Sequence, residues 1–260
     1  MSRRLEYLLI GISFWLILVG IYGDKLYGPG YIFTETIQDI TNIYGFYPWD
    51  SFSSYQLSRG HFALWNSHNG LGVPHLANMQ TGIFFPLNWL KFFLDFWSVI
   101  DWLLIFRLWL AGFFLYLFVR SLLRLNVLES IFAGLNYMLC GYFLRYVYMS
   151  HLNIECLIPL QLYLFHRLWQ ERNWLFWFLS GMGIYLLITG GFPEASLYAI
   201  GFSVAYFLLG IEGGSNIKKK LGLVFSVLGF GILLAGVQWL SFYEYLGQAW
   251  SYHHKAVGIR

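Results

Sequence analysis

The chain has 260 residues, of which 58% are hydrophobic and only 11% charged, with a formal net charge of +3. Soluble domains carry about a quarter of their residues as charges, so a water-soluble globular class is excluded. A transmembrane β-barrel would show alternating segments of about 10 residues, and none is evident in the sequence.

Arg3 and Arg4 precede an apolar stretch from Leu8 to Gly23. It is too long for the apolar core of a secretory signal, and Tyr22, Gly23 and Asp24 make a poor cleavage site, so it reads as an uncleaved first transmembrane helix. Apolar runs near the ~20 residues needed to cross a bilayer then recur. Seven spans are expected, at 5–23, 99–119, 128–147, 152–168, 174–189, 195–211 and 221–240. The stretch 84–97 is apolar and aromatic but short, and predicts a re-entrant or interfacial helix starting near Pro86. The expected fold class is all-α: a polytopic transmembrane helical bundle with a large first extracytoplasmic loop, residues 24–98, containing short helices. Cys140 and Cys156 both lie in apolar runs and predict packing as small hydrophobes, not a disulfide or a metal site.

Basic residues set the orientation. Under alternation Arg3, Arg4, Arg120, Arg124, Arg167, Arg172, Lys218, Lys219 and Lys220 fall on one side, in short loops, which makes that side and the N-terminus cytoplasmic. The opposite side collects most of the acids and six of the seven histidines, His166 being the exception. The working face is therefore expected outside. The chain stops soon after the seventh span, which suggests a fragment of a longer protein.

Between Tyr47 and Asn88 lies a long polar and aromatic segment, unusual in so apolar a chain. Asp39 precedes Tyr47-Pro48-Trp49; then come Leu57, Arg59, Gly60, Leu64-Trp65-Asn66, Gly72, Pro74, Leu76-Ala77-Asn78, Gln80, Phe85-Pro86 and Asn88. Further on stand Ser150-His151-Leu152, Pro159-Leu160, Gly190-Gly191-Phe192-Pro193-Glu194 with Leu197-Tyr198, and Ala235-Gly236-Val237-Gln238. In this order the residues resemble the N-terminal portion of the bacterial YfhO-type membrane proteins, multi-pass relatives of the GT-C glycosyltransferases. Phe192 stands where that pattern has His, Asp50 where Arg is more usual, and Arg107 where relatives often carry His.

The resemblance implies a GT-C-like bundle in the bacterial plasma (inner) membrane. It would move a sugar from a polyprenyl-phosphate carrier to an extracytoplasmic acceptor, namely a cell-surface polymer, a lipid or a protein. No cofactor is expected, since such chemistry needs no nucleotide-sugar metal site. A nucleic acid is not an expected partner, whereas the lipid bilayer is. A base must take the acceptor proton, and fixed cations or amide donors must meet the charge growing on the leaving phosphate.

Asp39, in the polar stretch after the first span, is the candidate base; the bland reading is a cap or surface acid. Asp50 and Glu194 are the other acids, with a cap at a helix starting at Ser51 and an exposed helix-start acid as their alternatives. Arg107 lies about two turns below Asp101 inside the second span. It either holds the carrier phosphate or pairs with Asp101 or snorkels. Arg145, at the outer end of the third span, is the other phosphate candidate, against snorkelling. Asn66, His75, Asn78 and Gln80 match sugar hydroxyls, or else satisfy loop backbone. His151, in a short outer turn, is expected to face the cleft. His61, His68 and His75 recur every seven residues, but Gly70, Gly72 and Pro74 break any helix that would align them on a metal. A transporter or flippase, and a non-catalytic membrane scaffold, are the competing functions.

Overall fold

The structure is a computed structural model, and it describes residues 2–34, 41–211 and 216–248. Almost every element in it is helical. The first helix, α1 (Arg3–Tyr27), starts where the Ser2 side chain accepts the Leu5 N–H and ends before Gly28. A long connection follows. It contains α2 (Tyr47–Leu57), preceded by a π-helical turn at Asn42–Phe46, then a two-residue antiparallel pair, β1 (Trp65–Asn66) with β2 (Val73–Pro74), and α3 (Asn88–Phe93). The helix expected within 84–97 is thus only α3. Leu94 turns to extended backbone and Asp95 already caps the next helix by accepting the Ser98 N–H at 2.9 Å.

That next helix is α4 (Phe96–Ser121), followed by α5 (Val127–Met138), which opens on a reciprocal capping box between Asn126 and Glu129. α5 and the short α6 (Gly141–Arg145) together form one apolar unit, Val127–Arg145, of 19 residues. Then come α7 (Leu152–Glu155), α8 (Ile158–Glu171), α9 (Trp174–Thr189), α10 (Pro193–Ala205), α11 (Ile217–Leu234) and α12 (Gly236–Gln248). Among the described residues three helical units, α1, α4 and α5 with α6, are long and apolar enough to cross a membrane, and α11 with α12 would make a fourth if counted together. α9 has 16 residues, or about 24 Å at 1.5 Å per residue, a little short of a ~30 Å core.

The predicted seventh span is not straight. α11 and α12 meet at 76° around Ala235. The break frees carbonyls at the end of α11, and the Trp239 indole N–H takes one of them, Ile232 O, at 2.9 Å. Gln238 meanwhile donates to Leu76 O in the long connection at 2.9 Å, holding α12 against that loop.

α4 is the centre of the bundle. It packs on α1, α5 and α8, and Leu104, Ile105, Leu108, Ala111 and Tyr116 along it are all buried. Where α4 crosses α5, Gly112 and Gly134 face one another. A Cβ added to Gly134 would lie 2.8 Å from the Gly112 carbonyl, so the two backbones approach as only small residues permit. At the Arg120 end, Glu6 of α1 accepts from Tyr116 Oη and from Arg120 Nε, both at 2.7 Å. This network pins α1 to α4 with its buried acid fully partnered. Cys156 is buried and Cys140 partly so, as small hydrophobes would be.

Candidate functional site

At the other end of α4 the long connection folds back onto the bundle. The Asp101 carboxylate accepts N–H groups from Ile32 at 2.9 Å and Phe33 at 3.1 Å, which fixes the chain leaving α1. Asn42, buried beside them, donates to Phe33 O. α2 and α3 pack together, and across their contact Lys91 Nζ lies 2.6 Å from Asp50 Oδ2. The side chains are 13% and 5% exposed, so this is a buried pair and not a surface one. Burial pushes the Asp50 carboxyl above its ordinary value and the Lys91 ammonium below its own, each opposed by the charge of the other.

Arg107 reaches the same place from α4. Its Nη2 donates to Val147 O at 2.6 Å, and its Nη1 donates to Met149 O at 3.2 Å and to Asn153 Oδ1 at 2.8 Å. The third donor, Nε, is buried with no partner among the described residues. Asn153 passes the link on through Nδ2 to Gly190 O at 2.8 Å, and Ser150 Oγ donates to Gly191 O at 2.9 Å. Gly191 has φ +98°, and a Cβ there would press on Ser150 and the Gln80 carbonyl at 3.4 Å. The glycine pair before Phe192 thus lets this turn sit against the 150–153 segment.

Asp50, Lys91 and Arg107 line one small cavity of about 30 Å³, with Gln80, Asn88 and Asn153 supplying amides. That volume holds about one or two waters. Its charged lining, among the described residues, is two cations and one carboxylate. Trp49 and Gln80 form its outer wall and also line a larger groove of about 420 Å³, together with His75, Asn78 and Glu194. A polar inner pocket therefore lies behind a wider vestibule, with a tryptophan and an amide between them.

Most of the candidate residues gather here, though not all in the roles the sequence suggested. Asp39, the predicted base, lies outside the described residues. Asp50 is not a cap: α2 begins at Tyr47, with Pro48 in its first turn, so Asp50 already faces inward to Lys91. Arg107 directs its described hydrogen bonds to carbonyls and Asn153, while Asp101 serves backbone amides. Gln80 lines both cavities. His75 is buried, its Nε2 lies 2.8 Å from Ser53 Oγ, and burial holds its pKa down at about 4, so the ring is neutral. Asn78 accepts the Gln80 N–H at 3.1 Å and Asn66 accepts the His68 N–H at 2.9 Å, the loop-building role. Asn66 also lines a separate groove beside Trp49 and Tyr55. Arg145 is exposed at the end of α6, away from the pocket lining. His151 is buried, 7% exposed, and lines a different groove together with Glu194. Lys91, Asn88 and Asn153 were missed. Asn88 stood only in the run that carries the family resemblance, and Lys91 left a trace as a single cation among the apolar residues Trp89, Leu90, Phe92 and Phe93.

No protein-family model matches the chain, and no curated protein or solved structure matches it.

Proposed function

We propose that the chain is the N-terminal part of a GT-C-like membrane glycosyltransferase, in which the Asp50–Lys91–Arg107 pocket receives the phosphate of a polyprenyl-phosphate sugar on the outer face. The observation that carries this reading is the buried excess of cation. Two positive side chains and one negative line a cavity rich in amide groups, and Arg107 Nε has no partner among the described residues. Leaving a buried charge uncompensated is costly, and an arriving phosphate would supply both the missing charge and the acceptor for Nε.

In the reaction the acceptor hydroxyl oxygen attacks the anomeric carbon and gives its proton to the Asp39 carboxylate. The bond from that carbon to the phosphate oxygen breaks, and its electron pair stays on the phosphate. Lys91, keeping one N–H on Asp50, turns another of its three toward phosphate oxygen, and Arg107, already held by Val147, Met149 and Asn153, offers Nε without rearranging. The pocket is too small for this without movement, so Trp49 and Gln80 must swing toward the vestibule on donor entry. His75, Asn78 and Glu194 lining that vestibule are placed to meet sugar or acceptor hydroxyls.

A transporter reading draws on the bent α11–α12 pair, since broken helices mark many transporter sites. Among the described residues the break at Ala235 brings no charged group into the cation pocket, which favours transfer.

The test is sugar transfer by the full-length protein in proteoliposomes containing a polyprenyl-phosphate sugar. Asp39→Asn, and Lys91→Gln combined with Asp50→Asn so that the buried pair is removed together, should each abolish turnover while the protein still inserts and accumulates. Wild-type turnover in either variant would remove the corresponding role. An assay in which the labelled lipid crosses the bilayer with no sugar transferred would support the transporter instead.

A further inference from the structure

A second groove, of about 650 Å³, lies on the far side of the 147–155 segment, between α6, α7 and α10. Its walls are aromatic, with Tyr137, Tyr142, Tyr146, Phe192, Tyr198 and Phe202 all facing it. Among the described residues, the charged side chains lining it are two carboxylates, Glu155 and Glu194. Glu155 Oε1 accepts from Tyr142 Oη at 2.9 Å, but its Oε2 is buried with no partner among the described residues. His151 lies just before the short helix that carries Glu155 and is only 7% exposed. Its ring is enclosed by Tyr142, Tyr146 and Phe192 at centroid distances of 5.6, 5.7 and 5.5 Å, and its Nε2 likewise lacks a described partner. Two orphaned polar atoms, one from a carboxylate and one from an imidazole, therefore lie just under the wall of one aromatic groove, on residues that line it.

From this geometry we propose that the groove binds a lipid with a primary ammonium headgroup, taken from the leaflet at this end of the bundle. An ammonium carries a positive charge and three N–H donors. One N–H meets Glu155 Oε2, a second meets His151 Nε2 in its acceptor tautomer, and the tyrosine faces stabilise the charge by cation–π attraction. The imidazole is able to accept, because burial and the nearby Arg107 charge hold its pKa near 4. An anionic headgroup would meet two carboxylates and, among the described lining residues, no cation. A quaternary ammonium would find the aromatic walls but could not donate to either orphaned atom. The acyl chains have a surface to follow: Leu197, Tyr198 and Phe202 of α10 are 71%, 75% and 57% exposed. A lipid is favoured over a soluble amine because the groove opens beside this apolar helix face.

The proposal goes beyond sugar transfer and does not depend on it. The chain is purified in detergent from mixed vesicles of phosphatidylethanolamine, phosphatidylcholine and phosphatidylglycerol, and retained lipid is identified by native mass spectrometry. Phosphatidylethanolamine should be retained about tenfold over either other lipid, which corresponds to about 1.4 kcal/mol. Glu155→Gln should remove that preference. Tyr198→Leu, at an exposed position that leaves the fold alone, should weaken it severalfold. Phe225→Leu, exposed on α11 and outside the groove lining, should leave it unchanged, which separates the groove's preference from general lipid retention. Equal retention of the three lipids, an undiminished preference in both groove variants, or displacement by soluble phosphoethanolamine would overturn the proposal.

Discussion

The inner pocket and the aromatic groove share a wall, the 147–155 segment, yet hold opposite charge. On one side the segment shows Arg107 its main-chain carbonyls, at Val147 and Met149, and the Asn153 amide. On the other it shows His151 and the Glu155 carboxylate to a ring of tyrosines. The pocket is tight, about 30 Å³, and lined by an excess of cation; the groove is wide, about 650 Å³, and lined by carboxylates. Backbone carbonyls can solvate a guanidinium without adding a formal charge, so the acids are spared for the opposite face. One short stretch of chain thereby separates a site suited to an anion from one suited to a cation.

The largest test of this contrast is to unbalance the pocket. Lys91→Met leaves Asp50 buried without its counter-charge and should cost about 3–5 kcal/mol of stability, read as a fall in thermal midpoint of the purified chain. Adding Asp50→Leu should recover most of that loss, because the pair is then replaced by apolar groups. If the double variant is as unstable as the single one, the pocket is not governed by this ion pair.

A smaller effect is expected from pH, at His75 in the vestibule wall. Burial lowers its pKa from the ordinary 6.5 to about 4, so folding favours the neutral ring. The stabilisation is complete above pH 6.5 and is lost as pH falls through 4. A tenfold change in proton affinity is worth about 1.4 kcal/mol, so the loss amounts to a few kcal/mol. Wild type should lose that much more stability than His75→Gln across the window, measured by denaturant midpoints at each pH. Parallel profiles would show that His75 is not desolvated.

The groove side should respond less. Tyr142→Phe removes the hydroxyl donor to the Glu155 carboxylate and should cost about 1.5–3 kcal/mol, with the thermal midpoint again as readout. The smallest shift should come from Ser150→Ala, which deletes the hydroxyl bond to Gly191 O. It should cost about 0.5–1.5 kcal/mol, and a loss several times larger would mean that the Gly190–Gly191 turn is held mainly by that contact.

Much of the helical framework was legible because it rests on local signals. Ser2, Asp95, Asn126 and Asn173 each cap the helix the apolar pattern predicts, and α9 begins and ends at the expected residues. The predicted seventh span is bent at Ala235, where nothing local resembles a proline kink. The bend is settled by Gln238 reaching Leu76, 162 positions away. The cap offered as the alternative reading of Asp50 fails for a similar reason. Ser51 looks like a plausible helix start, but α2 had already begun at Tyr47, and the acid's true partner, Lys91, is 41 residues distant. Arg107 stood out as a cation in an apolar run, whereas the carbonyls that hold it belong to a turn with no sequence signature.

Composition and hydropathy by themselves determined that the chain is helical, that several helices are of membrane length, and that polar residues concentrate in the long first connection. Those properties follow from the solvent each residue prefers and from spacing along a single helix. Which cation meets which acid, which carbonyls cradle Arg107, and which orphaned atoms share a groove were decided only by the tertiary fold. Such pairings join residues far apart in the chain, and their energies arise from burial, a condition no local stretch of sequence can specify.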